Sequence, residues 1–451
     1  MNIIFIAIDT LRADHLSCYG YSRPTSPFLD SLASKGVLFE RCYASDIPTQ
    51  PAYTTIYTSH YGVEHSIVSH GSEIEVLSPK FRLLTEYLRD AGYTTVAVDN
   101  LVEMKPWFRK GYEYYTLPYG HIQLITANKI TNYAIKWLKY LKEDNKPFFM
   151  FLHYWDPHAP YTPPEEYRHR FYKGDPFDKR KSSLMEAFKK YPFHILSRNW
   201  IRDLLGDVQD IEYICSLYDA EILYTNDQLR VLFNFLEENE MLEDILVIIT
   251  ADHGESLTEH GIFFDHHGVY ETNIHVPLIM FSPGRLPQGL RVKTLIEHVD
   301  LAPTILEITG IEMPEDMRGR SLIRLINGEV EEKEFVVSGE CTYQAFRAIV
   351  TSDGWKLIKK IGGDFYGRPK LQLYNLKEDP EEKVDLHDDY PDILKELELK
   401  LNHWVEDNLG EKADPIRVQL EHGLPGHEWL RRALERQGIS WEEWLKRQRY
   451  F

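Results

Sequence analysis

Two short apolar runs lie far apart in the chain, residues 3–8 (Ile-Ile-Phe-Ile-Ala-Ile) and 245–250 (Ile-Leu-Val-Ile-Ile-Thr), and each leads into a carboxylate, Asp9 and Asp252. A strand without polar alternation has to be covered on both faces, which a parallel sheet flanked by helices achieves and a half-solvated antiparallel sheet does not. Residues 94–98 and 148–153 are further runs of this kind. Between them stand helical patterns at 27–33 and 81–91, the second stopped by Gly92. The alternation predicts an α/β domain with a mostly parallel sheet and helices on both faces. Ligands of such sheets bind beyond the carboxyl ends of the strands, so Asp9 and Asp252 are candidates for one shared site.

At 451 residues the chain exceeds what one core holds, about 250–300 residues. The texture changes after residue 328. A charge run at 329–334 precedes strand-like segments at 335–337, 346–350 and 355–358, with turn residues Asp353-Gly354 and Gly362-Gly363. Residues 391–408 follow as an amphipathic helix. The expected division is a catalytic domain over 1–330, a small antiparallel-sheet plus helix (α+β) domain over 331–410, and a helical tail over 411–451. The tail carries helical patterns at 428–436 and 441–447. Its Trp429, Leu430, Trp441 and Trp444 are too many apolar residues for a solvated helix, so it is expected to dock on its own core or on a second subunit, and a homo-oligomer is expected.

The balance of 51 basic against 70 acidic residues gives a net charge of −19, which repels polyanions and argues against a nucleic-acid partner. A small anionic ester remains possible where a bound cation sets the local potential. Cys18, Cys42, Cys215 and Cys341 are scattered, with no CxxC pair, and read as reduced thiols. The run at 3–8 has no basic flank and is too short for a leader or a membrane span, so no membrane association and a cytoplasmic location are expected.

Asp252-His253-Gly254 places a carboxylate and an imidazole side by side after a buried strand, with a glycine that permits close backbone packing. With Asp9 they supply two oxygens and a nitrogen, a set that suits Zn²⁺ or Mn²⁺ better than an all-oxygen calcium cage. The stretch from Asn2 to Gly20, containing Asp9-Thr10-Leu11-Arg12-Ala13-Asp14, resembles the start of the sulfatase family. Thr250-Ala251-Asp252-His253-Gly254-Glu255 with Glu259-His260-Gly261 resembles its second metal motif. Trp155-Asp156-Pro157-His158-Ala159-Pro160-Tyr161, Tyr270-Glu271, Val276-Pro277-Leu278-Ile279 and Val299-Asp300-Leu301-Ala302-Pro303-Thr304 continue the likeness in order. Gly354-Trp355-Lys356-Leu357-Ile358 and the stretch from Leu373 to Pro380 extend it to about residue 408. The resemblance implies an alkaline-phosphatase-like fold and a divalent metal, for which the wider family often uses Ca²⁺.

The departure is at the nucleophile. The family signature is Cys or Ser, any residue, Pro, any residue, Arg, and its first residue is oxidised to formylglycine; here the aligned stretch is Thr49-Gln50-Pro51-Ala52-Tyr53. Threonine cannot give that aldehyde, so no formylglycine is expected, and Tyr53 replaces the arginine. A hydrated aldehyde has two hydroxyls, one to attack and one to expel sulfate. Threonine has one, which would trap a threonyl-sulfate, whereas water can clear a threonyl-phosphate by attack at phosphorus. Related branches, including nucleotide phosphodiesterases, carry such a threonine. The expectation is therefore a hydrolase of phosphomonoesters or phosphodiesters working through phospho-Thr49, with a metal held by Asp9, Thr49, Asp252 and His253. The alternatives are a sulfate-ester hydrolase without formylglycine, a phosphoryl-type transferase and an inactive binding protein.

The resemblance also implies that His158 contacts substrate and that His266, in the place of a family lysine, protonates the leaving group, with His267 as the substitute if the loop is shifted by one residue. Thr10 stands where many relatives have a second ligating Asp. Asp156, His158 and His267 would form a second metal site if they converged. The spacing of Tyr53, Tyr57 and Tyr61 points to a helix face rather than a substrate shelf, and the lesser reading of His260, His266 and His267 is as ordinary loop histidines on a polar surface.

Overall fold

A computed structural model describes residues 1–120, 124–144, 146–190, 195–329, 332–364 and 366–448. The strands of the larger sheet are β1 (Asn2–Ile8), β2 (Val37–Tyr43), β4 (Thr94–Val98), β5 (Tyr114–Thr116), β6 (Phe148–Tyr154), β7 (Ile245–Thr250), β8 (His275–Phe281) and β9 (Leu290–Glu297). They lie in the order β5-β4-β6-β1-β7-β8-β2-β9, and only β8 runs against the rest. The strands whose sequences lack alternation, β1, β6 and β7, form its centre, where helices cover both faces. Ala127–Asp144 and Ile211–Glu238 pack together on one side, with Pro27–Lys35 beside them. Thr49–Thr58, Leu84–Asp90 and Leu301–Thr309 form the opposing layer.

The smaller sheet is built from β3 (Asp46–Ile47), β10 (Phe335–Cys341), β11 (Ala345–Thr351), β12 (Trp355–Gly362) and β13 (Leu371–Asn375) in the order β13-β12-β11-β10-β3, with β10 to β13 antiparallel. Its side chains alternate between two cores. Val336, Ala348, Val350, Ile358 and Tyr374 face the main core, while Val337, Ile349, Leu357 and Leu373 meet Leu397 and Leu401 of the helix Pro391–Leu409. The fifth strand comes from the other end of the chain. β3 (Asp46–Ile47) pairs parallel with β10, Asp46 opposite Gly339 and Ile47 opposite Glu340, two residues before Thr49. The expected boundary at 330/331 and part of the charge run at 329–334 fall on Val330 and Glu331, which lie outside the described residues.

The tail holds the two expected helices, Pro425–Glu435 and Trp441–Gln448, and a third, Pro415–His422, that its periodicity did not reveal. It docks on its own chain. Ile416 and Leu424 pack with Val68, Cys341 and Ala345, and Leu430 and Leu434 are buried, so these apolar side chains need no second subunit to cover them. Asp414 caps the helix Pro415–His422 by accepting from the Ile416 N–H at 3.1 Å, and pairs with Arg347, whose side chain is only 4% exposed. Asp414→Ala would leave that guanidinium buried and unpaired. We expect a loss of about 3 kcal/mol in urea denaturation and easier proteolysis near Gly410, whereas an unchanged midpoint would remove the anchor from this pair. Among the described residues no helix is long and apolar enough to cross a membrane.

Candidate active site

Registry brings the chemistry together. Ala7 of β1 lies opposite both His153 of β6 and Thr250 of β7, so Asp9 and Asp252 emerge level with each other at the carboxyl ends of adjacent parallel strands. Both are fully buried. The Nε2 of His253 is 3.3 Å from Asp252 Oδ2 and 3.9 Å from Asp9 Oδ1. One ligand atom from each of the three residues falls within 4.8 Å of the others, and theirs is the one such group among the described residues.

The details fit a cation. Asp9 Oδ1 and Asp252 Oδ2 are buried without a hydrogen-bond partner, an arrangement that costs free energy unless a positive group lies between them. Asp9 turns its other oxygen, Oδ2, to His153 Nε2 at 3.0 Å, and His153 Nδ1 meets Asp99 Oδ1 at 2.8 Å. An imidazole between two carboxylates donates from both nitrogens. Although burial pulls it down, these bonds raise the His153 pKa to about 10. Despite its own burial, Asp9 is held well below the usual carboxylate range by His153, His158 and His253, whereas Asp252 is pushed well up by burial and by the Asp9 charge. His253 Nδ1 lies 2.9 Å from the Gly254 carbonyl, which only accepts, so Nδ1 carries the proton and Nε2 presents its lone pair to the cluster. Gly254 is required there: a Cβ would stand 2.0 Å from the Thr272 carbonyl oxygen.

Thr49 opens the helix Thr49–Thr58 and is 1% exposed. Its Oγ1 donates to His253 Nε2 at 3.2 Å, which sets the hydroxyl against the cluster at the positive end of a helix. Three imidazoles stand in a row that begins at His253, its partner. His266 stacks on His253 with centroids 4.7 Å apart and lies 4.9 Å from His158. His158 Nδ1 donates to the Ala159 carbonyl at 2.6 Å. His266 Nδ1 faces Glu255 Oε2 at 3.6 Å. Burial pulls His266 down, but Glu255, with Asp265 and Asp9, raises it to about 9, while burial lowers His158 and drives His253 well below its usual value. Of the three, His266 is the one that carries a second proton at neutral pH.

Residues 1–311 match the sulfatase family. The chain belongs to it. Residues 258–407 also match the C-terminal region of N-sulphoglucosamine sulphohydrolase, and neither match reaches the tail. As a sulfatase-family protein of the alkaline-phosphatase-like superfamily, it is a hydrolase of sulfuric or phosphoric esters. It is 25% identical to the uncharacterized sulfatase YidJ of Escherichia coli over 92% of this chain and 88% of that protein. A structure solved with its substrate D-glucosamine-2-N,6-O-disulfate superposes with a TM-score of 0.75 at 22% identity, covering 92% of this chain and 99% of the other. A phosphonate monoester hydrolase of Agrobacterium radiobacter superposes with a TM-score of 0.71 at 20% identity, covering 90% and 96%.

Within this sulfatase fold the sequence expectations separate. Asp9, Asp252, His253, Thr49, His158 and His266 converge. His267 does not join them: its Nε2 pairs with the Tyr366 hydroxyl and its ring packs tilted against Tyr343 at 4.6 Å, so His266 is the loop imidazole that stacks on His253, the partner of Thr49. The second metal site is not assembled, because Asp156 turns away to accept from the Ala127 N–H at 2.6 Å. His260 stacks on Tyr270 at 3.7 Å, while its neighbour Glu259 binds Arg12 at 2.7 Å. Thr10 sends its N–H to Asp252 Oδ1 at 3.4 Å, and its hydroxyl is buried without a partner. Tyr53 packs on His153 at 5.1 Å, Tyr57 pairs with Tyr112 at 2.7 Å, and Tyr61, beyond the end of the helix, donates to Glu297 at 2.8 Å. Sequence reasoning missed His153, Asp99 and His70. His70 lies in the field of His266, His158 and Asp9, and burial, together with the two neighbouring imidazoles, pushes its pKa down to about 3.

Proposed function

We propose that the protein hydrolyses phosphomonoesters or phosphodiesters by double displacement through phospho-Thr49. The carrying observation is the Thr49 hydroxyl, a single alcohol set 3.2 Å from His253 at the Asp9, Asp252 and His253 cluster. Those three side chains, with Thr49, would hold a divalent cation, and two carboxylates with one imidazole favour Mn²⁺ or Zn²⁺, with Ca²⁺ the harder alternative. Such an ion would supply the positive charge that favours loss of the Thr49 proton to solvent and offsets charge on the ester's oxygens.

The chain's own groups account for the rest. Thr49 Oγ1 bonds to phosphorus while the bond from phosphorus to the leaving oxygen breaks, and the electron pair departs on that oxygen. His266, whose Nδ1 faces the Glu255 carboxylate at 3.6 Å, delivers the Nε2 proton to it. His158, whose Nδ1 is engaged by Ala159, turns the other edge of its ring toward the substrate's oxygens. Neutral His266 then takes a proton from the water that attacks phosphorus, and Thr49 Oγ1 leaves as the alkoxide. The Thr49–Thr58 helix terminus favours charge on the transferring group.

The test is a steady-state comparison of matched aryl phosphate, phosphodiester, phosphonate and sulfate esters. We expect kcat/KM for at least one phosphorus ester to exceed that for the sulfate ester by about 100-fold or more, the scale on which a site separates substrates by differences in transition-state binding. Sulfate turnover above all phosphorus esters would overturn the reading in favour of a sulfate-ester hydrolase working without formylglycine.

A further inference from the structure

The tail, which neither family match covers, reaches the rim of the site. The indole of Trp429, half-buried on the helix Pro425–Glu435, meets the His70 imidazole edge-on at 5.7 Å and the Tyr343 ring at 5.7 Å. It lies directly over Gly71, where a Cβ would stand 2.5 Å from the indole Cζ2, so the residue there has to be glycine, with φ of +79°. The same loop is stapled twice more. Ser72 Oγ donates to Gln419 Oε1 of the tail at 2.7 Å, and the Gly71 N–H donates to Gln50 Oε1, the neighbour of Thr49, at 3.0 Å. On the other side Tyr343 packs against His267, whose neighbour His266 meets His158 and stacks on His253, the hydrogen-bond partner of Thr49. The His70 Nδ1 is buried and has no hydrogen-bond partner.

This arrangement is more than a packing contact between a tail and a core. The loop under Trp429 begins one hydrogen bond from the nucleophile's neighbour. The ring beside Trp429, Tyr343, packs against His267, the neighbour of His266, which is the proposed proton donor to the leaving oxygen. If His266 protonates the leaving oxygen, the departing group would lie on the side of this aromatic surface, while the phosphoryl oxygens would lie toward Asp9, Asp252 and Thr49. Aromatic rings take flat apolar partners edge-on or offset at centroid separations like those seen here.

We propose that Trp429 is a specificity-determining residue for the leaving group: with Tyr343 and His70 it forms the outer wall of the site and selects esters whose departing alcohol bears a flat apolar face, such as an aryl ring. The inference rests on the reading of Thr49 as the attacking group only in naming that side of the site. Binding can therefore be read without turnover. Titration calorimetry of the full chain would compare phenylphosphonate with methylphosphonate, and benzenesulfonate with methanesulfonate, in the wild type, Trp429→Ala and Trp429→Phe. The expected result is a phenyl preference in the wild type that falls about three- to tenfold in Trp429→Ala and survives in Trp429→Phe. The proposal is overturned by a wild type without phenyl preference, by a ratio that Trp429→Ala leaves unchanged, or by an equal loss for both members of a pair, which would make Trp429 a support for the His70 loop and nothing more. If only the sulfonate pair binds, the phosphorus reading fails and the ratio within that pair decides the wall.

Discussion

Replacing Thr49 by alanine is expected to lower kcat by about 10⁴-fold or more, the scale seen when a covalent nucleophile is removed. The fold should tolerate the change, since one hydrogen bond, to His253 at 3.2 Å, is lost, at a cost of about 1 kcal/mol. Loss of activity with a nearly unchanged melting curve is therefore the expected pair of results. Thr49→Ser keeps an alcohol at the same atom and should retain turnover. Acid quenching during turnover, followed by intact mass, should find one added phosphoryl group on the wild type and none on Thr49→Ala. Wild-type rates from Thr49→Ala would remove this residue from the chemistry.

Metal should act on stability as well as on rate, and Asp252→Asn should remove most of its effect. A ligand that binds only the folded state stabilises it by about 4 kcal/mol at a free concentration a thousand times its dissociation constant. Titrating Mn²⁺ or Zn²⁺ into chelator-treated protein should thus raise the melting temperature and restore activity. In the chelated protein Asp9 Oδ1 and Asp252 Oδ2 are buried oxygens with no donor between them, so the amide N–H introduced by Asp252→Asn should make the chelated form more stable than chelated wild type. The same variant should gain little on adding metal and should have lost turnover. If metal stabilises Asp252→Asn as much as wild type, the ion binds elsewhere and the assignment of Asp9, Asp252 and His253 fails.

Much of this was legible because burial on two faces leaves a strong mark. β4 and β7 fall on the runs read from the sequence, and β1 and β6 differ from theirs by one residue. The helix Thr49–Thr58 was harder: all ten of its residues are buried, so it has no polar stripe, and only the spacing of Tyr53 and Tyr57 betrayed it. The long helix Ile211–Glu238 went unread. Asp99 follows β4 as Asp9 follows β1, so the rule that singled out Asp9 and Asp252 applies to it too; His153 is an imidazole at the end of an apolar strand, a signal that was present and unused. Nothing local marks His70, and although Trp429 reads as a docking residue its partner does not, since their meeting depends on how a distant tail folds back.

Between β2 and Thr49 the polypeptide steps off one sheet and onto the other, and the attacking alcohol stands at the landing. A truncation at residue 330 would discard β10, the strand that grips Asp46 and Ile47, and would slacken the backbone just ahead of position 49. Cutting this protein at its apparent seam would thus disarm the half that holds every acidic and imidazole group of the centre, and neither fragment would inherit a competent enzyme.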